Sequence, residues 1–199
     1  MREIVFASTN PGKLAEMREL AAPTGVVILS PAEARPGVSP PAVDETATTY
    51  LGNARLKAAA IASWSGLPAL GDDTGLEVEA LNGAPGLITA RYAGAGCPMA
   101  RNIEKLLSAL CGESNRRADF VCALSLAIAP GRYLEVEERL AGEIALEAAG
   151  DGGFGYDGVF VLPEYGRTLA ELKGAAVPVQ THRARAMASL MQRLRQCGC

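Results

Sequence analysis

A long β-hairpin is the sequence feature that most constrains the fold. Residues 117–129 form a mostly apolar run, and the turn pair Pro130-Gly131 separates it from a second run over residues 132–146. In the second run apolar and charged side chains alternate, and the apolar set is Leu134, Val136, Leu140 and Ile144. Alternation with a period of two is typical of a strand with one buried face. The sequence therefore predicts two long antiparallel strands.

Helix and strand patterns alternate over the rest of the chain. The pair Asn10-Pro11 begins a helical pattern, with Asn10 as the N-cap and Pro11 at the first helical position. Thr46 is the predicted N-cap of a longer helix, and Asp72–Gly75 is predicted to lie between two short strands. The other predicted elements are strands over residues 3–7, 26–29, 69–71, 76–81 and 159–162, a helix marked by Ile103, Leu106, Leu107 and Leu110 that ends near Gly112, and a helix over 183–196. These elements predict an α/β fold with a mixed sheet and surrounding helices, in which residues 1–199 form a single domain of two lobes around one cleft.

The composition excludes several classes of protein. The chain carries 22 acidic and 19 basic side chains, and its formal net charge of −3 argues against binding to bulk nucleic acid. The longest stretch without a charged residue, residues 58–71, contains Gly66 and Pro68 and is too short to span a bilayer. The first residues do not have the pattern of a signal peptide. We therefore expect a soluble cytoplasmic protein with neither nucleic acid nor membrane among its partners.

The first strand-to-helix connection, residues Ser8–Lys13, has the features of a phosphate-binding turn. The first amides of a helix lack partners within the helix and face an anion together with the helix dipole, and Lys13 adds a positive charge. The glycine spacing differs from that of a Walker loop. The residues alone also fit an ordinary capped turn with an exposed lysine, and both interpretations stay open.

Two acidic pairs, Asp72-Asp73 and Asp44-Glu45, lie far apart in the sequence. Carboxylates from separate segments suit Mg²⁺ bound to phosphates, because Mg²⁺ takes one or two protein carboxylates and fills its other positions with substrate oxygens and water. A carboxylate beside such an ion can also accept the proton of an attacking water. Solvated turn residues are the alternative. That alternative is weakened because Asp72-Asp73 lies in an otherwise apolar run, where unpaired charges are costly.

Two later segments have features of base recognition. Residues 150–158 contain five glycines, which let a flat ligand approach the main chain, and Phe154 offers an aromatic face for stacking. His182 and Arg183 lie in the first turn of the last predicted helix, where positive charges oppose the helix dipole. A base carbonyl or a phosphate would account for their position. Purely structural roles for these aromatic and basic side chains stay open.

The order of the motifs resembles that of one family. From the N terminus the motifs are Ser8–Lys13, Glu45-Thr46, Asn53-Ala54-x-x-Lys57-Ala58, Asp72–Val78, Gly83–Gly86, Ala90–Gly94, Gly153–Asp157 and His182–Ala184. The chain is thus similar, over nearly its whole length, to the inosine triphosphate pyrophosphatases, also called dITP/XTP pyrophosphatases. The resemblance implies an elongated, two-lobed α/β fold with a central cleft, a homodimer and a requirement for Mg²⁺. It also implies hydrolysis of ITP, dITP and XTP to the monophosphate and pyrophosphate, which cleanses the nucleotide pool.

The resemblance also implies roles for individual residues. By position, Glu45 and Asp73 match the metal ligands of the family, and Asp73 also matches the residue that accepts a proton. Thr74 stands where the family has a substrate-contacting serine. The implied substrate-binding residues are Ser8, Thr9, Asn10, Pro11, Gly12 and Lys13 for the triphosphate, with Phe154, Gly155, Tyr156, Asp157, His182 and Arg183 for the base.

The sequence departs from the family pattern at Ala47, Gly52, Gly158 and Val177, and the last departure is the most serious for the site. The family carries a lysine five residues before its His-Arg pair, and Val177 stands there in this chain, while Lys173 lies four residues earlier. Two other functions stay open, and the missing lysine bears on the second. One is a Maf-like nucleotide pyrophosphatase of different base specificity, and the other is a non-catalytic nucleotide-binding module.

Overall fold

The computed structural model describes residues 2–197 and has a mixed α/β fold, as predicted. Strands and helices are mixed along the chain, and short 3₁₀ turns connect some of them. The strands are β1 (Glu3–Phe6), β2 (Val27–Leu29), β3 (Ala69–Val78), β4 (Pro85–Gly86), β5 (Arg117–Ala129), β6 (Arg132–Ile144), β7 (Phe160–Leu162) and β8 (Arg167–Thr168). The helices are α1 (Pro11–Ala21), α2 (Pro31–Ala34), α3 (Tyr50–Ser65), α4 (Met99–Ala109), α5 (Leu169–Gly174) and α6 (His182–Gln196).

The strands pair in both directions, which confirms the predicted mixed sheet. The order is β2-β1-β3-β5-β6-β7-β8, and β4 pairs with β3 outside this path. β1 is parallel to β2 and β3, whereas β4 is antiparallel to β3 and β7 is antiparallel to β6 and β8. The predicted hairpin is present as β5 and β6. In residues 2–197, no helix is long and apolar enough to cross a membrane.

The chain clusters into two compact units. The first contains residues up to 73 together with 122–138 and the segment from 182 onward, and the second contains 74–121 and 139–181. The core of the first unit is formed by apolar side chains of β1, β3, β5, α1 and α6, among them Phe6, Leu70, Leu124, Met17 and Leu190. The core of the second includes Leu76, Leu106, Phe120, Phe160 and Leu172. Each unit therefore has an apolar core of its own, which is what allows it to be compact.

The start of α1 agrees with the sequence prediction, but the start of α3 differs from it. Asn10 caps α1, because its side-chain oxygen accepts a hydrogen bond from the backbone N–H of Lys13 at 3.1 Å. Helix α3 begins at Tyr50 and is capped by Thr49, whose hydroxyl accepts from the N–H of Gly52 at 3.1 Å. The prediction of Thr46 as the N-cap was therefore wrong by three residues.

Strand β3 corrects the second local prediction. Asp72–Gly75 does not separate two short strands, because residues 69–78 form one continuous strand. At its start the strand lies directly on α3, since a Cβ built on Gly71 would stand 1.9 Å from the carbonyl oxygen of Ala54. Successive side chains of a strand point to opposite faces, so Asp72 and Asp73 meet different neighbours. On each face of the strand, ion pairs compensate the buried carboxylate, as water would in an exposed turn.

Candidate active site

The predicted phosphate turn connects β1 to α1 in the first unit. Ser8 and Lys13 are half-buried, whereas Thr9, Asn10 and Pro11 are exposed. The hydroxyl of Ser8 accepts a hydrogen bond from the N–H of Asn10 at 3.2 Å, which shapes the turn before the helix begins. The exposed residues lie at the N-terminus of α1, where backbone N–H groups and the helix dipole favour an anion. This geometry suits the predicted contact with phosphate.

Asp72 is the most deeply buried charged group of this region. Its side chain is fully buried and receives the ammonium of Lys13 on one oxygen and Arg183 Nε, at 2.8 Å, on the other. Burial alone would raise the pKa of Asp72, but the charges of Arg183 and Lys13 outweigh burial and hold that pKa well below its usual range. Asp72 is therefore an ionised carboxylate that forms ion pairs with two cations.

Arg183 is also enclosed, with only 2% of its side chain exposed. Its Nη1 donates to Glu16 Oε2 at 2.6 Å, so that the guanidinium joins Glu16 on α1 to Asp72 on β3. The fork of donors on an arginine is suited to two carboxylates. The sequence motifs did not single out Asp72 or Glu16 as partners of Lys13 and Arg183. The four side chains are two acids and two bases, so their charges are balanced. Nothing local in the sequence indicates which acid contacts which base.

Asp73 faces a second cluster, which is centred on Lys57 of α3. Lys57 Nζ lies 2.7 Å from Asp73 Oδ1, 3.0 Å from Glu45 Oε1 and 3.1 Å from the carbonyl oxygen of Asp72. Asn53, also on α3, lies with its Nδ2 at 3.4 Å from the other oxygen of Asp73. The two acids predicted as metal ligands thus converge on one ammonium group. The sequence named Lys57 in a motif but did not assign it this position.

Asp73 takes up a proton more readily than an exposed aspartate does, because its environment raises its pKa. Burial is the largest cause and raises the pKa of Asp73, the charge of Lys57 acts in the opposite direction, and the negative charge of Glu45 raises it further. Burial is the largest single cause and disfavours the charged form of Lys57, but the charges and hydrogen bonds of Asp73 and Glu45 together outweigh it and raise the pKa of Lys57. A carboxylate with a raised pKa is a stronger proton acceptor, which is a property of general bases.

The donor set at this cluster fits a cation that is shared with a substrate. No group of three or more His, Cys, Asp or Glu side chains that could hold a metal occurs in the described part of the chain. Glu45 and Asp73 instead provide two carboxylates that already point at one positive charge. Mg²⁺ typically binds one or two protein carboxylates and completes its shell with phosphate oxygens and water. The pair therefore fits Mg²⁺ carried with a phosphorylated ligand better than a closed structural metal site.

The predicted base-contact residues belong to both units. In the second unit Asp157 Oδ2 accepts from the N–H of Phe154 at 3.0 Å, and the Tyr156 hydroxyl donates to the carbonyl of Thr89 at 3.0 Å. Burial raises the pKa of Tyr156, so its hydroxyl stays protonated and serves as a donor. Gly155 has a φ of +67°, in the left-handed region that glycine adopts readily. Thr74, on β3, is half-buried and also belongs to the second unit.

His182 and Arg183 lie in the first unit, at the start of α6, and both are buried. The contacts of Arg183 with Asp72 and Glu16 are tertiary ion pairs that the sequence did not predict. Together with the ion pair between Lys13 and Asp72, they hold two positive charges close to the phosphate turn. Reading of the base by these two side chains stays a prediction.

Comparison with known proteins identifies related chains along the whole sequence. The pattern of the Ham1 family matches residues 4–193. A dITP/XTP pyrophosphatase of Gloeobacter violaceus is 45% identical over 194 residues, covering 96% of this chain and 93% of the relative, and one of Nitrosomonas europaea is 43% identical, covering 98% and 95%. Among solved structures, a HAM1 protein from Coxiella burnetii is 40% identical with a TM-score of 0.86, covering 98% of this chain and all of that one. The Staphylococcus aureus Ham1 protein has a TM-score of 0.82 at 36% identity, with full coverage of both chains.

Proposed function

Because the chain belongs to the Ham1 family, we propose that it hydrolyses non-standard purine nucleoside triphosphates to the monophosphate and pyrophosphate. The substrate class is ITP, dITP and XTP, and the reaction removes deaminated purines from the nucleotide pool. The observation that carries the proposal is the convergence of Asp73 and Glu45 on one positive charge, beside a second cluster that holds Lys13 of the phosphate turn. A triphosphate with its divalent cation needs both features.

Glu45 and Asp73 are the residues that would hold Mg²⁺. When bound, the ion supplies neutralisation of the phosphate charge and polarisation of the phosphorus–oxygen bonds. Lys57 keeps both carboxylates at a common point, and its ammonium balances their charge. Both donors are carboxylate oxygens, and both converge on one point. Mg²⁺ that also binds the phosphates of a substrate is typically held by one or two such carboxylates.

Asp73 accepts a proton from the attacking water in this account. Its pKa is raised by burial, which makes it a better proton acceptor than an exposed aspartate. The water attacks the α-phosphorus, the bond to the bridging oxygen breaks, and pyrophosphate leaves. Lys13 and the N–H groups at the start of α1 bind the phosphates and stabilise the charge that develops in the transition state.

The remaining predicted residues select the nucleotide. Phe154 stacks on the base, residues Gly155, Tyr156 and Asp157 shape the loop around it, and Thr74 contacts the substrate through its hydroxyl. His182 and Arg183 are the residues proposed to recognise the 6-keto oxygen of hypoxanthine or xanthine, where adenine carries an amino donor, while Nε and Nη1 of Arg183 stay on Asp72 and Glu16. ATP therefore leaves donors without acceptors at a cost of about 1–3 kcal/mol each. The enzyme works as a homodimer in the cytoplasm, in keeping with the family resemblance.

A substrate panel tests the proposed function. Purified protein is incubated with Mg²⁺ and ITP, XTP, dITP, ATP, GTP or dTTP, and pyrophosphate is detected separately from orthophosphate. We expect pyrophosphate from ITP, dITP and XTP, with a kcat/KM at least about a hundredfold above that for ATP. A preference for dTTP would favour a Maf-like specificity, and binding without pyrophosphate release would favour a non-catalytic module. Either result contradicts the proposal.

A further inference from the structure

The carboxylate of Asp157 is the centre of a polar cluster in the second unit. Its Oδ2 accepts a hydrogen bond from Lys173 Nζ at 2.8 Å and another from the backbone N–H of Phe154 at 3.0 Å. The Asp157 side chain is 6% exposed and that of Lys173 is 24% exposed. A buried carboxylate is costly without a positive partner and further hydrogen bonds. Lys173 is the cation that compensates the burial of Asp157.

The backbone around this carboxylate is packed too closely for side chains. Gly153 has a φ of +75°, and a Cβ built on it would stand 2.2 Å from Asp157 Oδ2. A Cβ on Gly152 would stand 2.5 Å from the carbonyl oxygen of Ala170 in α5. The N–H of Ala170 also donates to the carbonyl of Asp157 at 3.1 Å. The segment Gly152–Asp157, called here the base loop, therefore lies directly on the helix that carries Lys173.

Lys173 also lies beside the aromatic ring of the base loop. Its Nζ is 5.6 Å from the centroid of the Phe154 ring, within the range of a cation–π contact. Through Asp157 the same ammonium fixes the backbone N–H of Phe154. Both the main chain and the ring of Phe154 are thus restrained by a single charged side chain. Restraining an aromatic platform before a ligand arrives lowers the entropy cost of binding.

Position 177 offers no such charge in this chain. Val177 packs against the apolar core of the second unit, and its N–H donates to the carbonyl of Leu172 at 2.9 Å. Its side chain is therefore part of the packing around α5. Lys173, on the last turn of that helix, is the lysine that contacts the base loop.

We infer that Lys173 is a positioning residue that holds Phe154, through Asp157, in the conformation that stacks on a 6-oxopurine base. The inference rests on the proposed function and specifies how this chain builds its base site with valine at 177. Lys173 acts on the loop and not on the reacting atoms. Its removal should weaken binding of every nucleotide with a hypoxanthine or xanthine base, whatever the number of phosphates.

The test compares four variants with the wild type: Lys173→Ala, Lys173→Arg, Asp157→Asn and the double variant of Lys173→Ala with Asp157→Asn. Lys105→Ala is the matched control, because Lys105 also lies over an aromatic ring of the second unit, 4.3 Å from the centroid of Tyr92, but does not contact the base loop in the described structure. Affinity for IMP is measured by calorimetry without metal, and KM and kcat are measured with ITP and Mg²⁺. Thermal melting of each variant checks that the fold is kept.

We expect Lys173→Ala to weaken IMP binding and to raise KM by about tenfold each, with kcat changed by less than about twofold. Lys173→Arg keeps the charge and should stay within about threefold of the wild type, as should Lys105→Ala. In the Asp157→Asn background the further loss on removing Lys173 should be less than about threefold, because the ion pair between Lys173 and Asp157 is already gone.

Three outcomes overturn the inference: Lys173→Ala binding IMP like Lys105→Ala, Lys173→Arg being as weak as Lys173→Ala, or an equal loss in both Asp157 backgrounds. The last two outcomes can still be judged if Lys173→Ala has a lowered Tm. One uses Lys173→Arg, which keeps the charge, and the other uses variants that already lack the Asp157 carboxylate. Failure of the proposed function gives a different result. A wild type that binds IMP but releases no pyrophosphate from ITP refutes the function and leaves the Lys173 comparison intact.

Discussion

Asp72→Asn removes the carboxylate that pairs with both Lys13 and Arg183 in the first unit. The substitution keeps the volume of the side chain but leaves Lys13 without its carboxylate and Arg183 with Glu16 as its remaining acidic partner of the network. Breaking a buried ion pair by neutralising one partner costs about 3–5 kcal/mol. Because Glu16 still compensates Arg183 and Lys13 is 18% exposed, we expect the low end, about 3 kcal/mol.

Thermal and urea denaturation measure this loss. For a domain of this size each 1 kcal/mol shifts Tm by about 2–4 °C, so Asp72→Asn should lower Tm by about 6–12 °C. Arg101→Ala is the control, since the side chains of its ion pair with Glu104 are 67% and 62% exposed and such pairs contribute little. A loss below about 1 kcal/mol for Asp72→Asn would refute the role of Asp72 as the centre of a buried charge network.

The same network predicts a direction for acid dependence. Burial opposes the ionised form of Asp72, but Arg183 and Lys13 outweigh it and keep the pKa of the folded state well below that of the unfolded state. A group with a lowered folded-state pKa stabilises the protein above its unfolded pKa and loses that contribution as pH falls. The wild type should therefore lose stability below about pH 4, and Asp72→Asn should lose less over the same interval. Parallel acid curves for the two proteins would contradict this sign.

Two further predictions concern the reaction and the phosphates. Asp73→Asn should abolish pyrophosphate release while IMP and ITP still bind, because the amide keeps the shape but cannot accept the proton; wild-type turnover would remove Asp73 from that role. Lys13→Ala should weaken binding of ITP by about 10–100-fold more than binding of IMP, as measured by calorimetry, because its ammonium, which is bonded to Asp72, adds positive charge at the phosphate turn. An equal loss for both ligands would place Lys13 away from the β- and γ-phosphates.

The hairpin and the start of α1 were predicted correctly because residues close together in the sequence determine both. Period-two alternation over residues 132–144 and the cap of Asn10 on Lys13 depend only on near neighbours. The sequence also contained an overlooked signal for α5, since Thr168 and Glu171 form the spacing of a capping box and do make both of its hydrogen bonds.

Strand β3 could not be predicted because its stability comes from distant residues. Asp72-Asp73-Thr74-Gly75 has the composition of a turn, yet it lies within a strand whose charges are balanced by Lys13 and Arg183, which are 59 and 111 residues away from Asp72. Glu45 and Lys57 meet Asp73 in the same way. The sequence singled out these acids as candidates, but the cations that contact them became visible only in three dimensions.

The point of attack is the most direct test of the proposed reaction. ITP is hydrolysed by the wild type with Mg²⁺ in water enriched in heavy oxygen, and the label in each product is read by mass spectrometry. Attack of water on the α-phosphorus, with Asp73 accepting its proton, predicts that the label enters IMP and that the released pyrophosphate is unlabelled. Label in pyrophosphate would mean attack on the β-phosphorus, label in orthophosphate would mean cleavage of the terminal phosphate, and either result would contradict the account.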